Sequence, residues 1–110
     1  MTNPNPPREK INALLSLLDQ KKWDAVIQES QQLIKKYPDA FIIWNILGIA
    51  VIRTGNTAKA RACFQKAIQI KPNYAGAHNN LGVALRETGE LDAAIDAHRK
   101  ALTLKSDYAD

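Results

Sequence analysis

Residues 41–74 read FIIWNILGIAVIRTGNTAKARACFQKAIQIKPNY, and their internal order decides the fold. Trp44, Leu47, Gly48 and Val51 recur at spacings of three and four, which places them on one face of a helix. Ala60, Phe64, Ala67 and Ile68 form the facing stripe of a second helix. Small alanines set against a large phenylalanine are what close antiparallel packing needs. Gly48 lets the partner helix approach. Gly55 stands just past the first helix, where a left-handed residue is easiest for glycine. Pro72 stops the second helix, and Asn73 is placed to cap the next one, as Pro38 and Asp39 are one unit earlier.

The hairpin is repeated. After a shift of 34 residues, Asn45 falls on Asn79, Leu47 on Leu81, Gly48 on Gly82 and Ala50 on Ala84. Thr54, Gly55, Ala60, Lys66, Ala67, Lys71 and Tyr74 likewise meet their own kind, so about a third of the aligned positions are identical. A 34-residue period marks a helix–turn–helix array. The set Trp44, Leu47, Gly48, Val51, Ala60, Phe64, Ala67 and Pro72 resembles the signature of the tetratricopeptide repeat. The copy over 75–108 keeps Leu81, Gly82, Leu85, Ala94 and Ala101 but has His78, His98 and Ser106 for the Trp, Phe and Pro. The copy over 7–40 is degenerate, with Lys10, Ala13 and Leu14 in the Trp, Leu and Gly places, Val26 for the first Ala, and Trp23 near the inter-helix turn. Leu14 in a glycine position predicts a wider first helix pair. Atypical terminal units are expected of an array.

The resemblance implies an all-α chain, an α-solenoid (right-handed superhelix) of three antiparallel helix pairs. A Pro-rich lead over 1–6 precedes one domain over 7–110, with repeats 7–40, 41–74 and 75–108. Helices are expected near 8–20, 24–36, 41–54, 57–70, 75–88 and 91–104. The last one is expected to expose Ala94, Ile95, Ala101 and Leu102, the face that packs on a following unit. Either the chain is a fragment of a longer array or this open end pairs with another copy. The fragment is favoured, because SDYAD at 106–110 reads like a new unit with Asp107 in the place of Asn73.

Composition narrows the function. A chain of 110 residues, 45% apolar and 24% charged, suits one globular domain and leaves no room for a barrel or dinucleotide-binding catalytic domain. Fifteen basic residues against eleven acidic ones leave a net charge of +4, which resolves largely into lysines at helix ends such as Lys35, Lys36, Lys71 and Lys105. No contiguous basic face with free aromatics is evident, so nucleic acid is an unlikely partner. The longest apolar run, 41–52, falls short of the roughly 20 residues of a membrane span. With no signal peptide either, a cytoplasmic location is expected. No phosphate loop, metalloprotease motif, paired cysteines or nucleophile elbow occurs, so neither an enzyme nor a cofactor or metal site is expected. His78 and His98 fall within one helix pair, where a two-histidine site is conceivable but packing is the simpler role. Cys63 reads as a surface or half-buried thiol on the outer side of its helix.

Arrays of this family are protein-interaction modules, and the resemblance implies a concave groove lined by the first helix of each unit. Its residues here are Ile42, Asn45, Ile49, Ile52 and Arg53 in the middle unit and Gly76, Asn79, Val83, Arg86 and Glu87 in the third, with Asn80 alongside. The expected ligand is an extended or helical peptide. Ile42, Ile49, Ile52 and Val83 would meet its apolar side chains, Asn45, Asn79 and Asn80 its backbone, and Arg53 and Arg86 an acidic residue at the rim. Glycosyltransferase-associated members of the family use such an asparagine ladder; Asn12 and Asn80 match it, but Ile46 interrupts it. The chaperone-tail subclass clamps a carboxylate at positions that hold Ile11, Leu15, Ile46, Gly76 and Asn80 here, which excludes that ligand. Alternatives are a self-assembling homo-oligomer and an adaptor segment of a larger transferase-type protein.

Overall fold

The computed structural model describes residues 5–109, with side chains described as far as Lys105. Six helices follow in order: α1 (Arg8–Asp19), α2 (Trp23–Lys36), α3 (Phe41–Arg53), α4 (Thr57–Ile70), α5 (Ala75–Glu87) and α6 (Leu91–Ala109). No strand occurs among the described residues. The helices form three antiparallel pairs stacked as an α-solenoid. Each helix packs on the next in sequence, and α1 also touches α3, and α3 touches α5, whereas α2, α4 and α6 do not touch one another. The first helices of the units therefore crowd the inner side of the curve, and the second helices splay along the outer side.

The repeated glycines set the spacing within pairs. A Cβ on Gly48 would stand 2.4 Å from Phe64 Cε1, and one on Gly82 would stand 2.7 Å from His98 Cε1. His98 thus fills over Gly82 the place that Phe64 fills over Gly48. In the first unit Leu14 is buried at the corresponding place, and α1 lies less intimately on α2 than α3 does on α4. The wider first pair inferred from Leu14 is present. Three clusters form the interior. One joins Leu14, Val26 and Leu33 to Ile43, Ile46 and Ala50; the next joins Leu47 and Val51 to Ala60, Phe64 and Ala84; the last joins Leu85, Ala94 and Ala97. Each element boundary is thus crossed by apolar contact, as a stacked array requires.

Four expectations need correction. Helix α6 runs on through Ala109, past the expected end near 104, because Ser106 cannot block the helix as Pro72 does after α4. Asp39 and Asn73 do not cap α3 and α5. The N-caps are Ala40 and Tyr74 without a side-chain bond, and the turns close through Ala40 N to Tyr37 O and Tyr74 N to Lys71 O, each 3.1 Å. Of α1 to α5 only α4 has a side-chain cap, with Asn56 accepting from Lys59 N. Ala94 and Ala101 are buried against α5, so the exposed large apolar residues described on α6 are Leu91, Ile95 and Leu102. Cys63 does not lie outward: it is 3% exposed, in the buried cluster with Leu47, Val51, Ala60, Phe64 and Ala84. Burial pushes its thiol pKa up, against a smaller opposing pull from Lys59. Native Cys63 should therefore react with a thiol reagent about a hundredfold more slowly than in urea. Equal rates would place it at the surface.

The inter-helix turns carry a second repeated feature. Gly55 and Gly89 have φ of 93° and 82°, and the residue 34 positions before Gly55 is Lys21, with φ of 59°. A residue with a Cβ is strained there by about 1–2 kcal/mol. Lys21→Gly should raise the unfolding free energy by about 1 kcal/mol once the flexibility of glycine in the unfolded chain is set against that strain. Urea titration reads this directly; a loss of stability would show that the lysine side chain offsets its own backbone strain.

Candidate functional site

Helix α3 is apolar nearly all round because it is enclosed on three sides. Ile43 and Ile46 face α2, and Leu47 and Val51 face α4. Ile49 and Ile52 remain half-buried on the inner side. With Val83 of α5 and an edge of Phe64 they line a cavity of about 470 Å³ between the C-terminal halves of α3 and α5. Arg53, Asn80, Arg86 and Glu87 complete its wall. Six of the nine residues singled out from sequence therefore share one cavity: Ile49, Ile52, Arg53, Asn80, Val83 and Arg86. Ile42 lies at the other end of the inner face, in a second hollow of about 260 Å³ formed with Asn5, Pro6, Ile11, Ala40 and Phe41.

The amides divide. Asn45 is 6% exposed, its Nδ2 donating to the Tyr74 hydroxyl at 3.3 Å and its Oδ1 accepting from Asn80 Nδ2 at 2.9 Å. It joins α3 to α5 and is no free reader of a ligand. Asn80 keeps its carbonyl oxygen unused at the cavity wall. Asn79 stands apart, its Oδ1 lying 3.0 Å from Nδ1 of His98 on α6. Tyr74, which sequence reading passed over, anchors the other end of this seam. Its ring meets Phe41 edge-on at 5.0 Å, and Lys71 Nζ sits 4.9 Å above the Phe41 ring. Burial raises the Tyr74 phenol pKa, with the Asn45 bond opposing. The identity of Tyr74 and Tyr108 in register was the available signal.

The charges are distributed unevenly. Arg53 and Arg86 are exposed at the cavity and belong to no ion pair, the one ion pair among the described residues being Arg61 with Glu90. Glu87, the carboxylate of the cavity wall, accepts from the Thr57 hydroxyl at 3.2 Å. Between Asp39 and Glu87 the chain has no carboxylate side chain, while Arg53, Lys59, Arg61, Lys66, Lys71 and Arg86 lie within that span. The middle unit alone thus holds five basic residues and no acidic one, which a count over the whole chain conceals. Of these, Arg53 and Arg86 stand at the cavity, whereas Lys59, Arg61, Lys66 and Lys71 lie on α4 or at its C-cap.

The histidines serve the packing. Trp44 Nε1 donates to the Pro38 carbonyl at 2.8 Å, and one repeat later His78 Nε2 makes the same bond to Pro72, also at 2.8 Å. A carbonyl only accepts, so His78 carries its proton on Nε2. His78 and His98 are therefore each committed to a different partner. Among the described residues no group of three or more His, Cys, Asp or Glu side chains could hold a metal ion, and no helix is long and apolar enough to cross a membrane.

Comparison with known proteins agrees with this arrangement. The tetratricopeptide repeat domain of Sgt2 from Aspergillus fumigatus superposes with a TM-score of 0.86 at 19% identity, over 96% of this chain and 72% of that one. The second tetratricopeptide domain of Spaghetti (RPAP3), solved with the HSP90 peptide SRMEEVD, gives 0.82 at 17% identity over 87% and 89%. MamA gives 0.79 at 25% identity, over 87% of this chain and 56% of that one. This chain spans little more than half of most of the MamA chains it matches. No curated protein sequence matches it. The profile of the tetratricopeptide repeat matches residues 39–107. With that profile covering more than half of its length, the chain belongs to the tetratricopeptide repeat family.

Proposed function

We propose that this chain is a protein-interaction module, without chemistry of its own, that holds an extended peptide segment of a partner between α3 and α5. The observation that carries the reading is the cavity of about 470 Å³, where an apolar floor meets two arginines without ion-pair partners among the described residues. Ile49, Ile52 and Val83 would take one large apolar side chain, Asn80 Oδ1 would accept from a ligand backbone N–H, and Arg53 and Arg86 would meet a flanking carboxylate. Ile42 would extend the apolar contact toward the N-terminal end of the groove. Asn45 acts here by holding Asn80, and Asn79 lies outside the contact. The peptide complex of the RPAP3 domain supports peptide binding as a use of this fold.

The test is fluorescence anisotropy with a panel of labelled eight-residue peptides that pair one large apolar residue with acidic, neutral or basic neighbours. The acidic set should bind best, and Ile49→Asp should weaken it by at least about tenfold, through loss of apolar burial and addition of a like charge. Circular dichroism of the variant controls for folding. Equal binding of all three sets, or an Ile49→Asp variant that binds as the parent does, overturns the assignment.

A further inference from the structure

Among the described residues, three of the four exposed large apolar side chains lie on one helix: Leu91, Ile95 and Leu102 of α6, at 58%, 49% and 65%. With the half-buried His98 they form a stripe at spacings of four, three and four. The repeat shows what these positions do inside the stack. Thirty-four residues earlier they are Thr57, Arg61, Phe64 and Ile68 of α4, the side covered by the following unit: Thr57 donates to Glu87, and Arg61 pairs with Glu90. On α6 the two polar partners have become Leu91 and Ile95, so polar carboxylates no longer suit the cover.

The opposite end of the stack does not complement this face. Helices α3 and α5 reach the preceding unit through Ile43, Ile46 and Ala50 and through Ala77, Asn80 and Ala84. In α1 the same register positions are Glu9, Asn12 and Ser16, all exposed. Head-to-tail stacking of two copies would lay a carboxylate and two polar groups on leucine and isoleucine, which is unfavourable. The stripe does complement itself. Read backwards, Leu91, Ile95, His98 and Leu102 become Leu, His, Ile and Leu. Crossed antiparallel about a point between Asp96 and Ala97, two copies of α6 set Leu91 on Leu102 and Ile95 on His98. The flanking Asp92 and Arg99, neither of which has an ion-pair partner among the described residues, then oppose each other on both sides of the two-fold axis.

We infer that the chain forms a closed two-fold dimer through antiparallel α6 helices, with Leu91, Ile95 and Leu102 at its centre and Asp92–Arg99 pairs setting the register. Such a contact uses the same patch on both copies and stops at two. It leaves the α3–α5 cavity open, so the dimer would present two grooves.

The test is sedimentation equilibrium of the full chain from about 1 to about 300 μM, with circular dichroism as the folding control. The parent should reach twice 12.2 kDa. Ile95→Glu should raise the dissociation constant by about a hundredfold, since each dimer loses two buried isoleucines. Asp92→Arg and Arg99→Asp should each weaken the dimer, and the two together should restore it, which is expected only of an interface where these residues meet. A parent that stays monomeric throughout, a mass that climbs past two chains, or a dimer indifferent to Ile95→Glu overturns the proposal. Failure of the double charge exchange to restore what the single changes lose overturns the antiparallel register.

Discussion

Gly48→Ala should lower the unfolding free energy by about 1–3 kcal/mol, although alanine is the better helix former by about 1 kcal/mol. The added Cβ would stand 2.4, 2.7 and 2.8 Å from three atoms of the Phe64 ring. A ring is no flexible chain end; it can yield only by moving α4 away from α3, and that opens the cluster with Leu47, Val51, Ala60 and Ala84. Phe64→Ala should cost about 3–5 kcal/mol by leaving a cavity in the same place. The two changes are not independent. Once Phe64 is alanine the obstacle is gone, and Gly48→Ala should become neutral or stabilising. Urea titrations of the parent, both single variants and the double variant close a cycle whose coupling should be about 2 kcal/mol. Additive costs would mean that Gly48 is conserved between the two units for a reason other than the Phe64 ring.

Arg53→Glu combined with Arg86→Glu should weaken an acidic peptide by about a hundredfold, because each reversal removes an attraction and adds a repulsion at the rim of a low-dielectric groove. The parent's affinity should fall as salt rises over the range where screening lengths shrink from about 10 Å to about 3 Å, and the variant's should not. The decisive arm exchanges charges on both sides: a peptide with lysines in place of its acidic residues should bind the double variant better than it binds the parent. A purely structural role for the two arginines cannot produce that reversal. Equal losses for acidic and basic peptides would show that the variant has simply lost its groove.

Much of this molecule was legible along the chain. The 34-residue period, the glycines just past the first helices and the prolines after the second ones located five helices to within a residue at each end. These are local effects: a left-handed turn residue and a missing backbone N–H act wherever they occur. Spacing also put Gly48 and Phe64 on facing stripes, since residues three and four apart share a helix face; that Phe64 lies over Gly48 and His98 over Gly82 came from the structure. The exposed face of α6 could be foreseen in part. Ile95 and Leu102 are exposed as expected, whereas Ala94 and Ala101 turn inward, a rotation of the helix that spacing leaves open by about one residue.

The groove was legible as a set of positions but not as a site. Sequence placed nine residues on an inner face; Asn79 turns from it to His98 within its own helix pair, and only the stacking angle between α3 and α5 decided that six of the others surround one cavity and that Asn45 closes on Tyr74 and Asn80. Those outcomes join residues 29 and 35 positions apart, and no local pattern encodes the distance between two helices separated by a third. Cys63 gives the same lesson from the core. Its own helix marks it as an outer residue, and burial came from a cluster to which α3 and α5 both contribute. In a stacked array each unit writes its own hairpin, and the neighbour decides which of its faces are covered.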